Sequence, residues 1–257
     1  MRRAVLQVLR RLFPKLMLKR ALSRDQWNEI EEELLPAVVD PARVAVDVGA
    51  HAGSYTVRLA EIAPKVFAFE PDTEMAALIE RGTPGHVVVS SEAVSDTVGV
   101  KTFRVPVEAG HASVTLGSLA PLDTTSTIDR EVKTTTLDRL ADEDIGFVKI
   151  DVEGHEAEVL AGGRELLRRR RPVFLLEAND AADVSRLVEF FANEDYAGFF
   201  VHPDGGTALI EELTPELQDR AELSKPVTRR EMRFVNNFFY APRGEADELR
   251  RRLEAAR

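Results

Sequence analysis

Apolar positions in the chain follow two different periods. Near the start, Val5, Leu6, Val8, Leu9, Leu12, Phe13, Leu16 and Met17 recur at spacings of three and four, which predicts a helix with one apolar face and arginines opposite. After Pro41, short runs rich in β-branched and aromatic residues alternate with helical runs. The runs at 44–48, 66–70, 86–90, 147–151, 173–177, 198–202 and 234–241 read as seven strands, with helices near 53–63, 72–81, 154–170 and 181–193. That alternation predicts an α/β fold, a mostly parallel sheet covered by helices. No Gly/Ser or Pro linker and no internal repeat interrupts 41–243, so this stretch reads as one domain. A basic helical extension, 1–40, precedes it, and a solvated terminal helix, 244–257, follows it.

One stretch fits neither period. Residues 107–130 are rich in Ser, Thr, Gly and Pro, and a loop of that length inside a domain is expected to cover an active site. Charge then separates the ends of the chain. Residues 1–24 hold eight basic residues and no acid, so the remaining 26 basic and 44 acidic residues leave the rest at −18. A body this acidic repels phosphate backbones, so no nucleic-acid partner is expected and small molecules are favoured. The basic helix has two readings: a peripheral contact with anionic lipid, or packing on its own domain or in a homo-oligomer. Its apolar run is too short to span a bilayer, and Arg10 and Arg11 interrupt any signal-peptide core. A cytoplasmic protein, peripheral to the membrane at most, is the expectation. With no cysteine among 257 residues, disulfides, thiolate metal sites and a cysteine nucleophile are excluded.

Candidate chemistry gathers at the strand ends. The run from Val44 to Val48 is followed by Gly49-Ala-His-Ala-Gly53 and a helix opening at Ser54, a strand–turn–helix unit of the kind that lets backbone approach a ligand in an open parallel sheet. A dinucleotide fingerprint needs glycines at 49, 51 and 54, where the chain has Gly49, His51 and Ser54. That mismatch, with the absence of a Tyr-x-x-x-Lys dyad, argues against a nicotinamide-dependent oxidoreductase. Glu70 ends the second strand ahead of Pro71, 21 residues after Gly49, where a carboxylate can accept from both ribose hydroxyls of a nucleoside.

Six blocks share a further pattern: Asp47-Val-Gly-Ala-His-Ala-Gly53, Phe69-Glu70-Pro71, Ala93-Val-Ser-Asp96, Thr136-Leu-Asp138, Lys149-Ile-Asp-Val-Glu-Gly-His-Glu156 with Val159-Leu160-Ala-Gly-Gly163 behind it, and Asn237-Phe-Phe-Tyr-Ala-Pro242. In this order the chain resembles the FkbM-type S-adenosylmethionine-dependent methyltransferases over about 41–243. The resemblance implies a class I, Rossmann-like three-layer sandwich whose seven-stranded sheet has an antiparallel last strand, with S-adenosylmethionine as cofactor. It implies Asp47, Gly49, Ala50, His51, Gly53 and Ser54 along the methionine part, Glu70 and Pro71 at the ribose, Glu92 and Ala93 near adenine, and Asp151 beside the sulfonium. His51 stands where a generic methyltransferase has Gly, and Ser91 where family members often carry Asn.

At the reacting end, the fourth main strand delivers Asp151, Glu153, His155 and Glu156 within six residues. Carboxylates crowded there repel one another and raise a pKa towards that of a general base; Glu153 and Glu156 could equally complement a helix N-terminus. Asp151, Glu153 and His155 are the catalytic candidates, and Lys149 reads as the structural partner of a carboxylate. Glu177, Asn179 and Asp180 have oxygen ligands suited to magnesium, yet nothing else in the chain supports a site and no metal is expected. The resemblance, with the acidic charge as support, implies O-methylation of a hydroxyl on a small molecule, a sugar or a secondary metabolite. A non-catalytic nucleoside-binding scaffold is the alternative from another class.

Overall fold

A computed structural model describes residues 12–22, 29–108, 111–112, 117–120, 126–202, 206–219, 221 and 234–256. All seven expected strands form one sheet: β1 (Val44–Val48), β2 (Val66–Phe69), β3 (Val87–Ser90), β8 (Ile145–Ile150), β9 (Val173–Glu177), β10 (Tyr196–Val201) and β12 (Asn237–Pro242). A short edge strand, β11 (Thr207–Leu209), is an eighth. The order is β11-β10-β12-β9-β8-β1-β2-β3. Neighbours among β3, β2, β1, β8 and β9 run parallel, whereas β12 enters antiparallel to both β9 and β10. Central strands of such a sheet are buried on both faces, so they read as unbroken apolar runs; every residue of β8 is buried.

Side chains that alternate along a strand enter opposite cores. Val46, Val148, Leu176 and Phe238 join one cluster, while Ala45, Phe147, Leu175 and Phe239 join the other. Helices α1 (Pro14–Leu22), α2 (Ile30–Val38), α3 (Ser54–Ala60), α4 (Thr73–Gly82), α5 (Glu156–Ala161), α6 (Arg164–Arg170), α7 (Ala181–Asn193) and α8 (Ala246–Ala255) complete the described layers.

Four features differ from the pattern reading. The expected helix over 154–170 is two helices, broken at Gly162-Gly163; Gly162 packs so closely that a Cβ there would lie 2.1 Å from the Ser95 carbonyl oxygen. The C-terminal helix is not solvated all round, since Leu249 and Leu253 are buried in the second core. The unpatterned stretch is in part a second sheet, ordered β4-β7-β5-β6. In it the long hairpin of β5 (Gly99–Glu108) and β7 (Thr127–Thr135) is joined by β4 (Ala93–Val94) and β6 (His111–Ala112). Most of β7 is exposed, so it lacks the apolar alternation that reveals a half-buried strand. Lastly, α1 splits the apolar positions once read as a single face. Met17 and Leu18 pack against Leu78, whereas Leu12, Phe13 and Leu16 are exposed. The rest of the predicted basic helix, residues 1–11, lies outside the described residues, as does 23–28. Among the described residues no helix is long and apolar enough to cross a membrane.

Candidate functional site

A cleft of about 330 Å³ opens over the carboxyl ends of β1, β2, β8 and β9, where parallel sheets of this kind hold ligands. Its floor is the turn after β1. Gly49 has φ +82°, and a Cβ there would sit 1.7 Å from the carbonyl oxygen of Asp151. The glycine is therefore required by the contact between two strand ends, before any ligand is considered. Two non-glycine residues at the rim, His51 and Glu153, also have left-handed backbone, with φ 46° and 53°. Such strain costs on the order of 1 kcal/mol per residue.

At one end of the cleft lie most of the residues expected to hold a cofactor. Asp47, Gly49, Ala50, His51, Ser54, Glu70, Pro71, Ala93 and Asp151 line it. Glu70 is 5% exposed, and its carboxylate accepts from the backbone N–H groups of His51 and Asp72, both at 2.7 Å. Burial pushes its pKa up to about 7 against the help of those two donors. Burial likewise raises Asp47 to about 6, although its carboxylate accepts from the Thr56 hydroxyl at 2.5 Å. Two expected residues stand elsewhere. Gly53 packs against Ile79 below the cleft, and Glu92 is drawn away to Ser90 and to Arg139, at 3.0 and 2.5 Å. An apolar wall of Val94, Phe103 and Leu119 faces this end, supplied largely by the second sheet.

The other end is polar and assembled from distant segments. Lys149 is 1% exposed, yet its ammonium has no hydrogen-bond partner; it lies 3.6 Å from the Asp151 carboxylate and 5.0 Å over the Tyr55 ring. Carboxylates around it outweigh the effect of burial and hold its pKa above the ordinary lysine value. Glu177, at the end of β9, accepts from Asn236 at 2.6 Å. Burial, then the charge of Asp151, pushes its pKa well up. The Tyr55 hydroxyl donates to Glu29 at 2.7 Å, and Asn237 donates to the same oxygen at 2.9 Å. Glu29 and Glu32 thus bring the segment ahead of the domain into the wall of the cleft.

The three catalytic candidates share the cleft but are held differently. Asp151 and Glu153 line the cleft. His155 also reaches it, but its Nε2 is hydrogen-bonded to Ser95 at 2.9 Å and burial lowers its pKa. Glu156 is buried under the loop, accepting from the N–H groups of Val152 and Gly154 at 3.2 Å. Asp180 caps α7 by accepting from Ala182 and Asp183. The pattern reading did not foresee Glu29, Glu32, Tyr55, Phe103 or Asn236 in the wall. Only Asn236 carried a signal, its position at the mouth of the last strand.

The strand order, with its antiparallel β12 between β9 and β10, is that of a class I methyltransferase sheet. The methyltransferase FkbM domain matches residues 47–199, more than half of the chain, and the protein belongs to that family. No curated protein matches the sequence. Among solved structures the chain is similar to methyltransferase FkbM from Methylobacillus flagellatus KT, at 18% identity and TM-score 0.48, covering 78% of this chain and 44% of that one. It is also similar to a SAM-dependent O-methyltransferase from Thermotoga maritima, at 11% identity and TM-score 0.45, covering 87% and 70%. An rRNA methylase from Streptococcus thermophilus matches at 12% identity and TM-score 0.44, covering 82% and 92%. The chain thus spans less than half the length of the Methylobacillus protein.

Proposed function

We propose that the protein transfers a methyl group from S-adenosylmethionine to a hydroxyl of a small molecule, at the polar end of this cleft. The observation that carries the reading is Glu70, a buried carboxylate facing the cleft at the end of β2 and held there by two backbone N–H groups. A carboxylate so fixed keeps lone pairs for two vicinal hydroxyls, as a ribose presents them. The residues fit the rest of the cofactor too. The apolar wall of Val94, Phe103 and Leu119 suits a flat base, and Asp47 and Asp151 supply negative charge towards the amino and sulfonium end. The cleft volume lies within the roughly 300–1,000 Å³ of small-molecule sites.

When bound, S-adenosylmethionine supplies an electrophilic methyl group on a positively charged sulfur. The chain then has to hold the acceptor oxygen in line and take its proton. Lys149 is suited to the first task, because its buried ammonium has donors to spare for an oxygen. Glu177 is suited to the second: burial makes its carboxylate a stronger base than an exposed one, and Asn236 fixes its orientation. Asp151 is the counter-charge to Lys149. His155, tied to Ser95 and kept neutral by burial, serves as a structural residue at the base of α5.

Calorimetry tests this reading. S-adenosylhomocysteine should bind in the micromolar range and NADH should not, and Glu70→Ala should weaken the product by about 1–3 kcal/mol. Unchanged affinity in that variant would remove Glu70 from the ribose, and binding of NADH alone would return the oxidoreductase reading.

A further inference from the structure

Helix α1 is apolar on two sides. Its inner side is accounted for by Met17 and Leu18, which pack against Leu78, with Gly82 making room for the Leu18 side chain. Leu16 stands on the side of α1 away from that contact, and Leu12 and Phe13 lie just ahead of the helix in the chain. Leu12, Leu16 and Phe13 are 64%, 63% and 53% exposed. The same outer side carries Lys15, Lys19 and Arg20, all exposed, so the apolar patch has cations along its flanks.

We propose that the outer face of α1, with the two residues ahead of it, docks the protein on an anionic lipid bilayer, with Leu12, Phe13 and Leu16 in the interface and Lys15, Lys19 and Arg20 against the headgroups. An apolar stripe flanked by Lys and Arg, whose stems can reach outwards while the stripe is buried, is the pattern of a helix lying in a membrane interface. Charge selects lipid over another acidic protein surface or a second copy of this chain. Residues 1–24 contain eight basic residues and no acid, whereas the rest of the chain balances at −18; two copies would bring six cations of α1 face to face, Lys15, Lys19 and Arg20 from each. The acidic body does not cancel the attraction, because charges beyond about 10 Å are screened at ordinary salt. The reading is independent of what the cleft binds.

Vesicle sedimentation of the full chain tests it. Binding to equimolar phosphatidylglycerol and phosphatidylcholine, little binding to phosphatidylcholine alone, and loss of binding between about 0.05 and 0.5 M salt are expected. The substitutions Lys15→Gln and Lys19→Gln should each lower the partition coefficient about fivefold. Leu12→Ser with Leu16→Ser should abolish binding while leaving the melting temperature unchanged, since neither side chain is in the core. Equal binding by that double variant, or equal binding to both vesicle types, overturns the proposal. So does binding that appears only after residues 1–11 are removed, which would make that segment the patch's partner. A dimer in sedimentation velocity that the double variant dissociates, without vesicle binding, would make the face a subunit interface instead.

Discussion

The two ends of the cleft are built in opposite ways. The end proposed for the nucleoside draws Asp47, Gly49, His51, Glu70 and Ala93 from consecutive strand–helix units, and its key carboxylate is held by backbone N–H groups within 19 residues of it. The end proposed for the acceptor draws Glu29, Tyr55, Lys149, Glu177 and Asn236 from across the chain; the Asn237–Glu29 hydrogen bond spans 208 residues. The first is fixed by the geometry of a parallel sheet, the second by side chains that meet only once the sheet and α2 have packed. On the proposed reading, one scaffold can keep its cofactor end while the acceptor end is rebuilt.

The largest expected effect breaks the shared floor. Gly49→Ala puts a Cβ into the Asp151 carbonyl at φ +82°, and should cost about 3 kcal/mol or more of stability. A thermal melt within about 2 °C of the parent protein would show that the two strand ends separate easily. Next, Lys149→Met keeps the buried stem and removes the ammonium. Turnover on an accepted alcohol should fall about 100-fold, the effect of losing one buried donor to the reacting oxygen, while the affinity for S-adenosylhomocysteine changes less than about threefold. The reverse split would move Lys149 to the cofactor end.

The smallest effect separates the ends by pH. Burial holds Glu70 near 7 and Asp47 near 6, so the unliganded folded state binds protons that the unfolded chain releases. That stabilisation is full below the ordinary carboxylate range and is lost as pH rises through about 7. The free protein should thus melt at a higher temperature at about pH 6 than at about pH 8. Affinity for S-adenosylhomocysteine should move the other way, falling up to about tenfold per unit below pH 7, because the ionised carboxylate is the better acceptor for two hydroxyls. Parallel trends in the two measurements would show that Glu70 binds the ribose protonated, or not at all.

Much of the cofactor end was legible in the chain because each of its parts is local. Gly49 follows an apolar strand, Glu70 ends the next, and the period-two and period-3.6 patterns locate both. Even there the reason differed: Gly49 clears the Asp151 carbonyl, Gly53 packs on Ile79, and Glu92 turns to Arg139. The acceptor end was hardly legible. Lys149 read as the partner of a carboxylate, and it does lie beside Asp151, but a one-dimensional pattern cannot say that its ammonium lacks a hydrogen-bond partner. Tyr55 and Glu29 looked like ordinary residues of a helix and of a segment before the domain. The β5/β7 hairpin escaped notice because exposed strands need no apolar alternation.

By itself the sequence determined the sheet and its family, because burial on both faces of a parallel sheet forces long apolar runs, and the turns between them demand particular residues at particular offsets. Only the tertiary structure decided which face of α1 is packed and which is bare, and which distant carboxylates surround Lys149. Those are outcomes of which surfaces meet on folding, and contact between remote segments leaves no periodic mark on either of them.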